Sequence, residues 1–192
     1  MIVYKREKIE NAICFFASEY LKRTKRNIPQ TILYKMLAFL DFNVLKNTGK
    51  PSLELEYKAM KNGPVPIEIY DNRRIPYETE CFKFVQTGPQ NFVIESKKEP
   101  DLDYFSDYEL KVMEEIILKY GHRKISQKEL SKLICDDSHN EIKAWEIAWN
   151  RKENSKIEYD DVFDKKIFSK LDSELSTVEN TYLIYKSFVE NK

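Results

Sequence analysis

The stretch from Thr31 to Leu45 constrains this chain more than any other, because its apolar side chains point in nearly every direction around a helix. Ile32, Leu33, Tyr34, Met36, Leu37, Ala38, Phe39, Leu40, Phe42, Val44 and Leu45 leave no continuous polar face on a helical repeat. Such a helix must be enclosed, so it is expected at the centre of the core. Two charges interrupt it, Lys35 and Asp41, and a charge on an enclosed helix has to find a partner or reach water. Lys35 is expected to snorkel its amine out to solvent, and Asp41 to cap a neighbouring segment. A direct role of either in binding is the alternative.

The flanking segments read as shorter elements. Ile9, Ala12, Ile13, Phe16, Tyr20 and Leu21 form one apolar stripe between Lys5 and Thr24, with Asn27 offering a cap and Pro29 a first turn for the next helix. Gly49 and Pro51 stop the enclosed helix. A short helix is expected from Leu53 to Lys61, followed by a rigid corner at Gly63, Pro64, Val65 and Pro66, and then a short helix or turn with Ile67, Ile69 and Tyr70. Cys81 to Val85 and Phe92 to Glu95 flank a turn at Gly88 to Asn91, which predicts a β-hairpin. Ser106 with Glu109, and Ser126 with Glu129, open two helices as capping boxes; another helix runs near Ile142 to Trp149. After Asn150 the chain turns polar and then resumes helical spacing at Val162, Phe163, Ile167, Phe168 and Leu171, while Thr181 to Tyr185 fits helix or strand. The reading is α+β, mainly α: a helical domain over 1–150 with one small β-hairpin near 79–96, and a C-terminal extension over 151–192.

Composition narrows the chemistry. The chain has 192 residues and balances 32 basic against 32 acidic side chains, yet residues 1–50 hold 10 basic and 4 acidic ones. The basic run Lys22, Arg23, Lys25 and Arg26 can meet phosphates, but cations are also favoured at the end of a helix by its dipole. Four glycines form no phosphate-cradling loop, and neither the Gly-x-Ser-x-Gly nor the His-Glu-x-x-His motif is present. Cys14, Cys81 and Cys135 are too widely spaced for a disulfide framework or a four-cysteine zinc site. A metal site can be drawn from Cys135, His139 and Glu141, but the spacing matches no strong ligand pattern, so no cofactor or metal is expected. The first ten residues lack an apolar leader and no run reaches membrane-spanning length, which points to the cytoplasm and to no membrane partner. Tyr34, Phe39, Tyr57 and Tyr70 are expected as core aromatics.

An ordered series of residues then resembles a known family. Lys35 to Asp41, Thr48 to Pro51, Tyr57 with Ala59, Gly63 to Pro66 with Tyr70, and later Tyr120, Gly121, Leu130, His139 to Glu141 and Trp145 are similar to the Panacea or SocA-like antitoxin family, also met in phage-associated proteins. The similarity covers roughly 30–150 and departs from the family at Ala38 and Met60. It implies an antitoxin-like interaction domain, not an enzyme, that binds and neutralises a cognate toxin protein, with an adaptor role towards a Clp-type protease. It marks Lys35, Asp41, Tyr57, Gly63, Pro64, Val65, Pro66, Tyr70, His139, Glu141 and Trp145 as structural or partner-binding positions. The alternative is a nucleic-acid-binding regulator of a phage or toxin–antitoxin locus. Against it, residues 126–149, the candidate helix pair, carry three lysines and five carboxylates, the wrong sign for a duplex.

Overall fold

Every residue from Ile32 to Phe42 is buried in the computed structural model, which describes residues 4–73 and 79–190. The enclosed helix is therefore the hub around which the other elements are laid. In chain order these are α1 (Lys5–Thr24), β1 (Ile28–Pro29), α2 (Gln30–Thr48), β2 (Tyr57–Met60), β3 (Gly63–Pro66), α3 (Ile67–Asn72), β4 (Phe82–Gln86) and β5 (Phe92–Ser96). There follow α4 (Asp107–Tyr120), α5 (Gln127–Glu141), α6 (Lys143–Arg151), β6 (Lys156–Ile157) and α7 (Thr177–Glu190). Helix α2 is the hub itself, and α1, α4, α5, α7 and β3 pack around it. Each large apolar side chain it buries contributes roughly 1.5–3 kcal/mol, which is why so uniformly apolar a helix is stable only in this position.

Two small antiparallel sheets, ordered β1-β5-β4 and β3-β2-β6, complete a mainly helical α+β architecture. The expected hairpin is β4 with β5, Phe84 facing Ile94. Both capping boxes form: Ser106 Oγ accepts from the Glu109 N–H, and Ser126 Oγ from that of Glu129. Gly49 ends α2 at φ +80°, and a Cβ there would stand 2.4 Å from the Val178 carbonyl oxygen, so α7 crosses where only glycine fits.

Four expectations need correction. Residues 53–61 do not form a helix: Leu53, Leu55, Tyr57 and Ala59 are buried while Glu56 and Lys58 are exposed, the period of two that makes β2 a strand. The Gly63–Pro66 corner is likewise strand β3, joined to β2 by the Lys61–Asn62 turn with Tyr57 facing Pro66 and Met60 facing Gly63, so there are two hairpins among the described residues. Its two prolines are tolerated because β3 is an edge strand. Asn27 does not cap α2, whose N-cap is Pro29 without a side-chain bond; the Asn27 amide instead donates to Glu95 at 3.4 Å. Leu21, assigned to the buried stripe of α1, is 36% exposed.

The chain after Asn150 is tied into this body. Strand β6 adds to β2, Tyr57 facing Ile157, and short 3-10 turns at Tyr159–Val162 and Lys165–Ser169 lead to α7. The Thr181 to Tyr185 segment is helical, and its Tyr182 is buried with Leu45 and Ile167.

Candidate functional site

Helix α2 carries two of its charges, Lys35 and Asp41, inward on different faces, and each organises a separate cluster. Asp41 is fully buried. Its Oδ1 accepts from the Leu53 N–H at 2.5 Å; its Oδ2 accepts from the Leu55 N–H at 3.3 Å and from the Tyr57 hydroxyl at 2.9 Å. Glu54, between the two donating amides, has φ +51°, a left-handed turn that aims successive N–H groups at one anion. The Tyr159 hydroxyl donates to the Leu55 carbonyl at 2.8 Å and lies 3.4 Å from Oδ2. Burial raises the Asp41 carboxyl to about 6 even though these four donors oppose it. The arrangement is a capping device, as expected of Asp41, and it fastens loop 53–55, β2 and the Tyr159 turn to the hub.

Lys35 departs from expectation. It does not snorkel: only 1% of it is exposed, and its Nζ donates to the Pro64 carbonyl at 2.8 Å inside the protein. Burial lowers its amine to about 8. Gly63, next to that carbonyl, has φ +99°, and a Cβ there would meet Ser138 Oγ at 2.4 Å and Lys35 Cε at 2.9 Å. The glycine is thus needed for its backbone angle and for the close approach of α2 and α5 across β3. Ser138 Oγ turns back to donate to the Cys135 carbonyl at 2.8 Å.

Beside Ser138, the His139 ring stacks on Trp145 with centroids 3.8 Å apart and planes 11° off parallel. Trp145 in turn stacks on Trp149 at 5.6 Å and donates its Nε1–H to the Met60 carbonyl at 3.1 Å, at the end of β2. Among the described residues His139 Nε2 is buried without a hydrogen-bond partner. Burial, and then the positive charge of Lys35, lower the His139 imidazole, so it is held neutral at physiological pH. Burial raises the Cys135 thiol, with Lys35 pulling it the other way. Lys35, Gly63, Pro64, Ser138, His139 and Trp145 therefore share one centre, where α2, β3, α5 and α6 meet.

Other marked positions fall elsewhere. Glu141 is exposed and accepts from Lys119 Nζ at 2.7 Å, facing α4. Among the described residues no group of three histidine, cysteine or carboxylate side chains could hold a metal ion. Val65 is a buried β3 residue facing Lys58 across the hairpin, and Pro66 faces Tyr57. Tyr34, Phe39 and Tyr57 are core aromatics, whereas Tyr70 is half-buried, edge-on to Tyr34 at 6.3 Å, with the Arg73 guanidinium 3.4 Å over its ring. Sequence reading missed Ser138, Trp149 and Tyr159 as members of the clusters. Trp149 was legible from its four-residue spacing to Trp145, but Tyr159 meets Asp41 only through the return of β6. Also unforeseen is Lys8, whose Nζ reaches Glu109 Oε1 at 2.6 Å, with Ser52 Oγ donating to the same oxygen at 2.6 Å.

A family model described as antitoxin SocA-like, Panacea domain, matches residues 33–146. The match begins just before Lys35 and ends just after Trp145, enclosing the Lys35 centre whole and leaving Tyr159 outside. No curated protein and no solved structure matches the chain, and no helix among the described residues is long and apolar enough to cross a membrane.

Proposed function

The chain belongs to the SocA-like Panacea antitoxin family, and from that premise we propose that it neutralises a cognate toxin by binding it as a protein. The contact face of this reading is centred on the ladder His139, Trp145 and Trp149 together with the Lys61–Asn62 turn. The observation that carries it is the ladder itself. Its middle member is fixed by the Trp145 bond to Met60 and its outer member, Trp149, is only half-buried. Rigid, partly exposed tryptophans are the side chains that most often anchor protein interfaces, since they bury much area with little loss of rotamer freedom. The exposed Lys61, Asn62, Lys143 and Glu146 supply a polar rim around it.

In this role the residues act as binding groups and positioning groups, with no covalent step. Lys35 and Gly63 fix β3 against α5, β2 and α5 fix the ladder, and the ladder meets the toxin in the cytoplasm. Delivery of the bound toxin to a Clp-type protease is a second stage of the same proposal.

The test is coexpression with each small reading frame found beside the gene. The expected result is a product that arrests growth alone, is tolerated with this protein and co-purifies with it. Trp149→Ala should weaken that complex by roughly 2 kcal/mol or more while leaving the circular dichroism unchanged. A shortened toxin half-life that depends on Clp would support the adaptor stage. A neighbour product that is harmless, or that is silenced without forming any complex, contradicts the proposal.

A further inference from the structure

The basic run at the end of α1 is split by the fold. Lys22 pairs with Glu19 at 3.0 Å and with Glu99 at 2.7 Å, and Arg23 lies 3.6 Å from Glu19. Lys25 and Arg26 instead line a surface pocket of about 390 Å³ with Tyr20, Thr24, His122, Arg123, Ile125, Gln127 and Leu130. Among the described residues no aspartate or glutamate lines it. Among the described residues the side chains of Lys25, Arg26 and Arg123 have no ion-pair partner, and His122 Nδ1 is buried without a hydrogen-bond partner.

A helix dipole accounts for cations at the end of α1, but not for a third cation, Arg123, which lines the same hollow beside His122 from the separate α4–α5 loop. Like charges held together without counter-charges repel one another, and that cost is relieved by an anion. The first residue of α5, Gln127, also lines the pocket and brings the positive end of that helix's dipole to it, against the negative end presented by α1, while the Glu129 carboxylate is turned back onto Ser126 N–H at 2.8 Å.

We propose that this pocket binds a small organic phosphate carrying two or more phosphate groups, of nucleotide size. Three cations and an imidazole exceed what one carboxylate can engage, whereas a diphosphate presents enough oxygens and charge for all of them. The volume lies in the range of small-molecule sites, roughly 300–1,000 Å³. Convergence in a hollow also differs from the stripe of cations that tracks a nucleic-acid backbone. The pocket is independent of the proposed toxin-binding face, so the outcome here leaves that reading as it stands.

The test is calorimetric titration of the full chain with inorganic pyrophosphate and with ATP, alongside single-stranded RNA and a polyglutamate peptide. The account expects pyrophosphate or ATP to bind with a dissociation constant below about 1 mM, and Arg26→Gln and Arg123→Gln each to weaken binding about tenfold or more. Both exposed arginines should be replaceable with the melting temperature unchanged, and Lys165→Gln, outside the pocket, should leave affinity unaltered. Absence of phosphate binding, equal affinity in the arginine variants, equal binding of polyglutamate, or RNA binding more than about tenfold tighter with steep salt dependence would each overturn it.

Discussion

Lys35 and Asp41 sit six residues apart on one buried helix, and the protein treats them very differently. Asp41 is surrounded by donors: two amides and two tyrosine hydroxyls, Tyr57 at 2.9 Å and Tyr159 at 3.4 Å. Among the described residues Lys35 has three N–H groups and one acceptor, the Pro64 carbonyl, with an unpartnered nitrogen on His139, an imidazole that feels the Lys35 charge. A buried charge with a complete set of partners is a fastening. One left short of partners costs stability. The comparison places Asp41 in the architecture, and in the proposed function it gives the Lys35 side the support of the contact face.

The largest expected effect is at the joint between the two sides. Gly63→Val places a β-branched residue at φ +99° and drives its Cβ into Ser138 and Lys35. A loss of roughly 4 kcal/mol or more, read as failure to fold or a collapsed melting temperature, is predicted. An unchanged melt would break the claim that β3 is wedged between α2 and α5.

Next comes the cost of the Lys35 charge. Its amine titrates near 8 when folded, against an ordinary 10.5. Between those pH values the unfolded chain binds more protons than the folded one, so this group makes stability rise with pH. Relative to Lys35→Met, wild type should gain on the order of 3 kcal/mol as pH rises from about 8 to about 10.5 in chemical denaturation. A constant difference across that window would mean that the charge is not buried at a cost.

Asp41→Asn should destabilise by roughly 2 kcal/mol at pH 7, because the amide turns one acceptor into a donor facing N–H groups. Toxin binding by the variant that remains folded should be unchanged, which sharpens the division of roles. The smallest effect is Tyr159→Phe, which removes the bond to Leu55 and should cost about 1 kcal/mol, seen as faster amide exchange in 156–162. Equal exchange there would detach the C-terminal segment from the Asp41 cluster.

Much of this was legible in the residue order. The all-round apolarity of 31–45 located the hub, and both capping boxes and Gly49 placed helix ends where they are. The alternation Leu53-Glu54-Leu55-Glu56-Tyr57-Lys58-Ala59 also stated its strand period, and a helical reading of it lost to that pattern. Gly63 to Pro66 looked like a corner because proline is rare inside sheets, yet an edge strand needs only part of its hydrogen-bonding capacity. The partners of Lys35 were not legible. A lysine on an apolar helix ordinarily reaches water, and only the three-dimensional meeting of β3, α5 and α6 closes that route. His139 and Trp145 were flagged by resemblance, but their stacking depends on the α5–α6 bend at Ile142, which no local signal specified.

The most direct measurement is hydrogen–deuterium exchange on the protein with and without the toxin identified by coexpression. The account predicts new protection over 60–66 and 138–150, with 53–57 and 156–162 unaffected. Protection confined to the Asp41 side, or no protection in any segment while growth is still rescued, would contradict it.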